Sequence, residues 1–345
     1  MDFSHLPLWS LWAAFFAAAG AVAWAGSKLA GVADRFADRT GLGEAVTGGV
    51  VLGVATSLSG ITASVTAAAD GYGSMALSNA VGGIAIQSVF LAVADLFLKG
   101  RNLEHAAASP TNLTQAGLLV LLLGLLLLAT TGPQESLTIF GVHAATPAIL
   151  LAYAMGMRVV VASRANPMWR PRRTTATVPD EPEPPNLRES LPKLVVLIVV
   201  LGAIVMLAGM TIARAGGQMV DRLGMDQSLV GGLFLAVSTS LSELVTTVAA
   251  VRRGALTLAV GGIVGGNAFD VLFVCVADMA YRSGSLYGDA NRSDLFLVAL
   301  TLVMNVVLML GLLGRQQKGP AMIGWEGVLV IALYLGGFYL LATGF

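Results

Sequence analysis

The chain of 345 residues contains ten stretches long and apolar enough to cross a bilayer, which takes about 20 residues of helix. Only helices and closed barrels satisfy backbone polar groups inside a membrane, and stretches of this length and apolarity are typical of helices. The sequence therefore predicts an all-α polytopic membrane protein with ten transmembrane helices. The predicted spans are 8–27, 47–69, 75–98, 113–131, 137–162, 191–213, 229–250, 256–279, 295–313 and 321–342.

Composition supports a membrane protein and excludes several other classes. Hydrophobic residues make up 56% of the chain and charged residues only 12%, which is far from a soluble composition. The net charge is zero, so nothing points to a nucleic-acid partner. The single cysteine, Cys275, excludes a disulfide within the chain and is read as a small core residue. No resident cofactor is predicted.

The chain also contains an internal repeat. Residues 47–96 align without a gap on residues 230–279, at an offset of 183, with 20 identities in 50 positions. Two halves of five spans follow, 1–163 and 191–345, separated by a linker at 164–190. Because five is an odd number, the second half must enter the membrane from the opposite side. Two inverted five-helix repeats of this kind are typical of secondary transporters.

Positive charge predicts the orientation. With both termini outside, the inner loops contain all but four of the 20 Lys and Arg residues, as the positive-inside rule requires. The four exceptions are Arg214, Arg222, Arg282 and Arg292. We therefore expect a multi-pass protein of the plasma (inner) membrane with a cytoplasmic linker. That linker is rich in proline and mixed charge, which predicts a flexible tether, with a regulatory role as the alternative.

Two acidic residues lie deep inside predicted spans, where ionisable groups are costly and are functional candidates. Glu243 is midway along the seventh span and Asp270 midway along the eighth. Helical spacing predicts that Thr239 and Ser240 share the face of Glu243, and that Asn267 and Gly266 share the face of Asp270. Hydroxyl, carbonyl and carboxylate oxygens are the ligands of hard cations such as sodium, calcium and magnesium. The nearby glycines are explained equally well by close helix packing.

These segments resemble the α-repeats of the sodium/calcium exchanger family, within the wider group of calcium/cation antiporters. That family has Gly-Thr-Ser-Leu-Pro-Glu on the second span of each half and Gly-Ser-Asn-x-x-Asn/Asp on the third. The counterparts here are Ala55-Thr56-Ser57-Leu58-Ser59-Gly60 with Gly82-Gly83-Ile84-Ala85-Ile86-Gln87, and Ser238-Thr239-Ser240-Leu241-Ser242-Glu243 with Gly265-Gly266-Asn267-Ala268-Phe269-Asp270. The family's five-plus-five architecture would cover the whole chain except the linker.

The resemblance implies a set of ion-binding residues, and this chain departs from it at several positions. The implied site contains Thr56, Ser57, Gln87, Thr239, Ser240, Glu243, Asn267 and Asp270, with the two acids as the metal ligands. Gly60 replaces the first glutamate of the family, and Gln87 replaces its first Asn or Asp. The motif prolines are Ser59 and Ser242, and the motif serines are Gly83 and Gly266.

The implied function is cation antiport by alternating access, with calcium or another divalent cation as cargo and sodium or protons as counter-ion. Two carboxylates can neutralise one divalent ion, two monovalent ions or two protons. The missing glutamate makes an altered ion or a proton counter-ion a reasonable hypothesis. The alternative is a non-transporting relative that binds an ion as a sensor or assembly partner. No nucleophile and base accompany the acids, so we do not expect an enzyme, and the oligomeric state stays open.

Asp95 and Asp278 occupy equivalent positions of the two repeats, eight residues beyond Gln87 and Asp270. We expect them to lie at the ends of their spans, with the lining of an ion vestibule as the alternative.

Overall fold

A computed structural model describes residues 3, 5–40, 52–98, 100–132, 138–139, 142–178, 189–319 and 323–344. Within these ranges the first half contains α1 (Leu8–Ala21), α2 (Ser27–Thr40), α3 (Leu52–Ala69), α4 (Gly73–Asp95), α5 (Leu103–Ala106), α6 (Pro110–Thr131) and α7 (Ala145–Ala165). The second half contains α8 (Leu191–Leu223), α9 (Gln227–Leu229), α10 (Ala236–Thr239), α11 (Leu241–Arg253), α12 (Leu256–Asp270), α13 (Leu272–Ala280), α14 (Arg292–Gly314) and α15 (Trp325–Thr343). Two π-helical turns, Val22–Gly26 and Val230–Leu235, join α1 to α2 and α9 to α10.

The all-α membrane class is confirmed. Eight helical segments in the described part of the chain are long and apolar enough to span a membrane, and a bent pair of helices adds a ninth. The predicted second span corresponds to α3, although its first residues, 47–51, lie outside the described ranges. A total of ten spans in two inverted repeats stays a prediction.

The seventh span differs from the continuous helix predicted over 229–250. It is broken between α10 and α11, and the two parts are bent by 45°. The break is at Ser240, whose φ of −93° and ψ of 7° lie outside the α-helical region. Non-helical backbone at membrane depth is tolerated only where protein or a cavity surrounds it, and Ser240 is buried.

The predicted fifth span also begins later than expected. A short antiparallel pair, β1 (Thr138–Ile139) with β2 (Val142–His143), precedes α7. The described residues at the start of the predicted segment 137–162 are therefore paired strands rather than helix.

Helix α4 lies at the centre of the molecule. Of its most apolar 18 residues, 94% are buried. It packs against α3, α12, α14, α15 and the second π-helical turn. Gly82 is the reason for its close contact with that turn, because a methyl group at this position would overlap the backbone of Gly232. Here the packing interpretation of the motif glycines applies, since small residues allow helix backbones to approach closely.

Part of the linker is docked rather than free, which differs from the flexible tether predicted for 164–190. The Val178 N–H donates to the carbonyl oxygen of Ala106 over 3.1 Å. The hydroxyl of Thr174 lies 2.7 Å from Nε2 of His105. Residues 171–178 therefore lie against α5, and residues 179–188 lie outside the described part of the chain.

The C-terminal end of the linker is held by salt bridges. The Glu189 carboxylate lies 2.6 Å from the Lys193 ammonium and 2.8 Å from Nε of Arg35. The hydrogen bonds from Lys193 and Arg35 lower the pKa of Glu189. This contact joins the linker to the C-terminal part of α2.

We expect Gly82→Ala to destabilise the protein, because the added methyl group must displace the Gly232 backbone. Overpacking of this kind costs about 1–3 kcal/mol. Thermal unfolding in detergent measures it, with Gly124→Ala in α6 as the matched control, since nothing lies within 4 Å of that position. An unfolding temperature for Gly82→Ala equal to that of the control would contradict the close approach.

Candidate ion-binding site

Residues separated by the repeat offset of 183 meet at the centre of the molecule. The side-chain nitrogen Nε2 of Gln87 donates to Oδ2 of Asp270 over 2.7 Å. Nδ2 of Asn267 donates to the carbonyl oxygen of Ile84 over 3.4 Å. Both pairs join equivalent positions of the two repeats, so α4 and α12 face each other through matching residues.

A second set of hydrogen bonds is reciprocal. Ser59 Oγ donates to the carbonyl oxygen of Thr239 over 2.8 Å, and Ser242 Oγ donates to that of Thr56 over 3.4 Å. The two donors are equivalent in the repeats, and so are the two acceptors. Each serine stands at a motif proline position, and a proline could not make this contact because it has no hydroxyl.

Asp270 is the most completely hydrogen-bonded acid at the centre. Its carboxylate accepts from Ser57 Oγ over 2.6 Å as well as from Gln87, and only 1% of the residue is exposed. Gln87 also lies 3.4 Å from Oγ of Ser240. The side chains that donate to Asp270 are therefore neutral, and they orient a buried acid without balancing its charge.

Glu243 lies in the first turn of α11, directly after the break at Ser240. Its Oε2 accepts from Ser242 Oγ over 2.7 Å, and 7% of the residue is exposed. The carboxyl groups of Glu243 and Asp270 are near enough for their charges to interact. A new helix, α11, therefore begins just before Glu243. Thr239 lies in the preceding helix, so the prediction that it shares a continuous helix with Glu243 is wrong.

The remaining predicted residues are Asn267, Thr239 and Thr56. Asn267 is fully buried, and its Oδ1 has no hydrogen-bond partner among the described residues, so this oxygen could bind a cation. Thr239 Oγ1 instead donates to the carbonyl oxygen of Leu235 in the preceding turn. Thr56 is buried and meets the other half through its carbonyl oxygen.

A phenylalanine fills the place of the absent first-half glutamate. A methyl group on Gly60 would lie 2.7 Å from Cε2 of Phe273 in α13. Any side chain at Gly60 therefore requires the Phe273 ring to move. An apolar ring thus occupies the space beside Gly60 into which a first-half glutamate would extend.

Asn79 was not predicted from the sequence. This buried residue of α4 donates through Nδ2 to the Gly60 carbonyl oxygen over 3.1 Å and to Ser64 Oγ over 2.8 Å. Its Oδ1 lies 3.5 Å from Thr239 Oγ1. An asparagine inside an apolar span was the signal that could have identified it.

Within the described ranges, the acids that meet at the centre are Glu243 and Asp270. Among the described residues no group of three or more His, Cys, Asp or Glu side chains is arranged to hold a metal ion. Two carboxylates with neutral oxygens fit a cation that binds and leaves better than one that is permanently held.

Comparison with known proteins identifies the family. The model of the sodium/calcium exchanger protein family matches residues 10–158 and 193–343, which leaves out the two ends and residues 159–192 with the linker. The chain belongs to the sodium/calcium exchanger family. It is therefore an integral multi-pass membrane protein of a cation antiporter family, and the prediction that it is not an enzyme is confirmed.

Two relatives are similar in sequence. A putative antiporter, CaxA, of Alkalimonas amylolytica is 27% identical over 328 residues, which is 92% of this chain and 94% of the relative. The sodium/calcium exchanger MaX1 of Methanosarcina acetivorans is 27% identical over 115 residues, but this covers only 33% of this chain and 31% of the relative.

Solved structures share the fold. An H+/Ca2+ exchanger, CAX, superposes with a TM-score of 0.68 at 15% identity, covering 98% of this chain and 82% of its own. The sodium-calcium exchanger NCX_Mj superposes with a TM-score of 0.58 at 17% identity, covering 96% of this chain and 99% of its own. The all-α fold of this family member is thus the fold of cation exchangers.

Asp95 and Asp278 have matching structural roles in this exchanger fold. Asp95 Oδ1 accepts from the N–H of Leu103 over 2.7 Å, and Asp278 Oδ1 accepts from the N–H of Leu286 over 3.2 Å. Each acid thus binds a backbone group eight residues later. They lie at or near helix ends as predicted, but both are buried, and they hold the loops that follow.

We expect Ser59→Ala to destabilise the broken span, because the Thr239 carbonyl next to the break loses its partner from α3. An unpaired buried polar group costs about 1–3 kcal/mol. Thr62→Val is the matched control, since the Thr62 hydroxyl bonds to Leu58 in its own helix. Equal losses of unfolding temperature in the two variants would show that the contact across the halves is unimportant.

Proposed function

We propose that this exchanger-family protein transports a divalent cation against two monovalent ions, sodium or protons, with Glu243 and Asp270 as its charged ligands. Neutral oxygens of Thr56, Ser57, Gln87, Thr239, Ser240 and Asn267 complete the proposed site. The observation that carries the proposal is the pair of buried, interacting acids whose side-chain hydrogen bonds come from neutral groups. Such a pair requires cations or protons to balance its charge.

The stoichiometry follows from the charge count. Two carboxylates balance one divalent ion, or two monovalent ions or protons, so each loaded form of the site has the same charge. A cycle of two monovalent ions for one divalent ion moves no net charge across the membrane. The absent glutamate at Gly60 supports this cycle over one that moves three sodium ions for each calcium ion.

The proposed architecture is ten spans in two inverted repeats, comprising residues 1–163 and 191–345. The reciprocal contacts of Ser59 with Thr239 and of Ser242 with Thr56 support it, because they relate two equivalent segments. Both termini are proposed to lie outside and the linker in the cytoplasm, on the distribution of Lys and Arg. The proposed location is the plasma (inner) membrane.

A proteoliposome assay tests the function. Calcium, magnesium, manganese, sodium and potassium are offered in turn against imposed sodium or proton gradients. We expect gradient-driven uptake of a divalent cation, at a rate that does not respond to an imposed membrane potential. A rate that rises with the potential would contradict the two-for-one cycle, and absence of any flux would favour an ion-binding sensor.

Charge-neutral variants test the residues. We expect Glu243→Gln and Asp270→Asn each to lower initial uptake about tenfold or more, the effect of losing a charged ligand worth at least ~1.4 kcal/mol. Asp289→Asn is the control, because Asp289 bonds to the Tyr281 hydroxyl outside the site. Uptake that survives either central substitution would remove that acid from the site.

A two-residue variant tests the altered half of the site. We expect Gly60→Glu combined with Phe273→Ala to bind calcium about tenfold more tightly, because a third carboxylate joins the site and the ring no longer blocks it. Gly60→Glu alone is the control, and steric conflict with Phe273 should make it less stable. Calcium titration by calorimetry measures the affinity, and no gain in a well-folded double variant would contradict the role given to Gly60.

A further inference from the structure

A second group of buried acids lies away from the central site, at the end of the molecule where the linker docks. Asp95 at the end of α4, Glu104 in α5 and Glu326 in the first turn of α15 are each at most 1% exposed. The charges of Asp95 and Glu326 both act on the Glu104 carboxyl group. We call these three residues the end cluster.

Most carboxyl oxygens of the end cluster have no donor from outside the cluster. Among the described residues this holds for Oδ2 of Asp95, Oε2 of Glu104 and both oxygens of Glu326. The Glu104 and Glu326 carboxyl groups lie near enough to share a hydrogen bond, which requires that one of them carries a proton. Nδ2 of Asn102, beside α5, is also buried without a partner within the described ranges. A buried carboxyl group in this condition stays ionised only when a cation balances its charge, and otherwise it takes up a proton.

The fold leaves space for the side chain of Glu326. A methyl group on Gly324 or on Gly311 would overlap the side chain of Glu326. Two glycines on different segments thus surround one carboxyl group that is fully enclosed. An apolar side chain could have filled that space, so the acid is not explained by packing alone.

The hydrogen bonds of the basic groups near the end cluster go to groups outside it, while Nε of Arg315 is buried without a partner among the described residues. Arg315 donates to the carbonyl oxygens of Arg172 and His105, and Arg101 donates to that of Ala176. Both ring nitrogens of His105 are occupied, one by the Arg315 carbonyl and one by Thr174. Helices α12 and α14 pack on α5. Their ionisable residues are Asp270, at the last position of α12, and Arg292 and Asp294, in the first turn of α14. Burial, and then the charges of Asp95 and Glu326, raise the pKa of Glu104 well above its ordinary value.

Helix α5 connects the end cluster to the linker. Glu104 belongs to the cluster, while the next two residues, His105 and Ala106, contact Thr174 and Val178. Because α5 has only four residues, an outward shift of Glu104 must displace the surface on which the linker lies.

We propose that Asp95, Glu104 and Glu326 form a proton-binding site, separate from the central ion site, and that its protonation keeps linker residues 171–178 docked. Deprotonation places unbalanced charge among three buried acids, and repulsion moves α5 outward. Linker residues 171–178 then separate from α5. The linker between the two halves is therefore docked at low pH and undocked at high pH.

The sign follows from linkage. A carboxyl group that is buried only in the docked state binds its proton more tightly there, so protons favour docking. Docking is therefore strongest below the ordinary pKa of glutamate and weakens as the pH rises toward the raised pKa of Glu104.

Hydrogen exchange of the purified 345-residue chain, with chelator present, tests this site. We expect the exchange protection of the amide groups in the 171–178 peptide to fall about tenfold or more between about pH 6 and pH 9, after correction for the intrinsic exchange rate at each pH. Tenfold is the effect expected when the pKa of Glu104 differs by one unit between the docked and the undocked state. Glu104→Gln and Glu326→Gln should remove that dependence, because both keep the shape without the charge. The loop of Leu286, held by Asp278 at the equivalent position, is the internal control and should not respond.

Three results would overturn the proposal. The first is protection of 171–178 that does not change with pH in the unmodified protein. The second is a dependence that survives in both glutamine variants but disappears in His105→Gln, which would assign the effect to the histidine. The third is docking that chelator abolishes at every pH and calcium restores, which would make the ligand a metal. Glu189→Gln, at the far end of the linker, should leave the dependence unchanged.

Discussion

The need to stabilise an acid in the membrane interior determines how the centre of this protein is built. Asp270 is buried where water cannot solvate it, so Ser57 and Gln87 supply its hydrogen bonds from two other helices. These contacts require α3, α4 and α12 to meet at one depth. Gly82, which lets α4 approach the second π-helical turn, and the break beside Ser240 lie in the segments around this meeting point.

Much of the fold could be predicted because two signals are strong in the sequence. Apolar stretches of helical length predicted the spans, and the repeat predicted two equivalent halves. The same repeat placed Gln87 and Asp270 at equivalent positions, and they are in contact. The chemistry of a cation site was also predictable, since acids and hydroxyls are costly inside apolar helices unless they bind an ion or one another.

The features that sequence did not predict depend on contacts between distant segments. The break at Ser240 is compensated by Ser59, which is 181 positions away, and no local preference of Ser-Leu-Ser indicates it. Phe273 occupies the space beside Gly60 although neither segment alone indicates that the two meet. The docked linker was missed because its proline-rich composition resembles that of free chain, and its partners are groups of α5.

The contact between Gln87 and Asp270 has a consequence for how such a protein can arise. If the two halves were separate, identical subunits, the residues facing each other there would have to be identical. Two aspartates would repel each other, and two glutamines would carry no charge to attract an ion. Because both halves are encoded in one chain, equivalent positions are free to differ, and one half supplies the acid while the other supplies the amide that holds it. The pair therefore requires two halves of different sequence, and a single chain provides them.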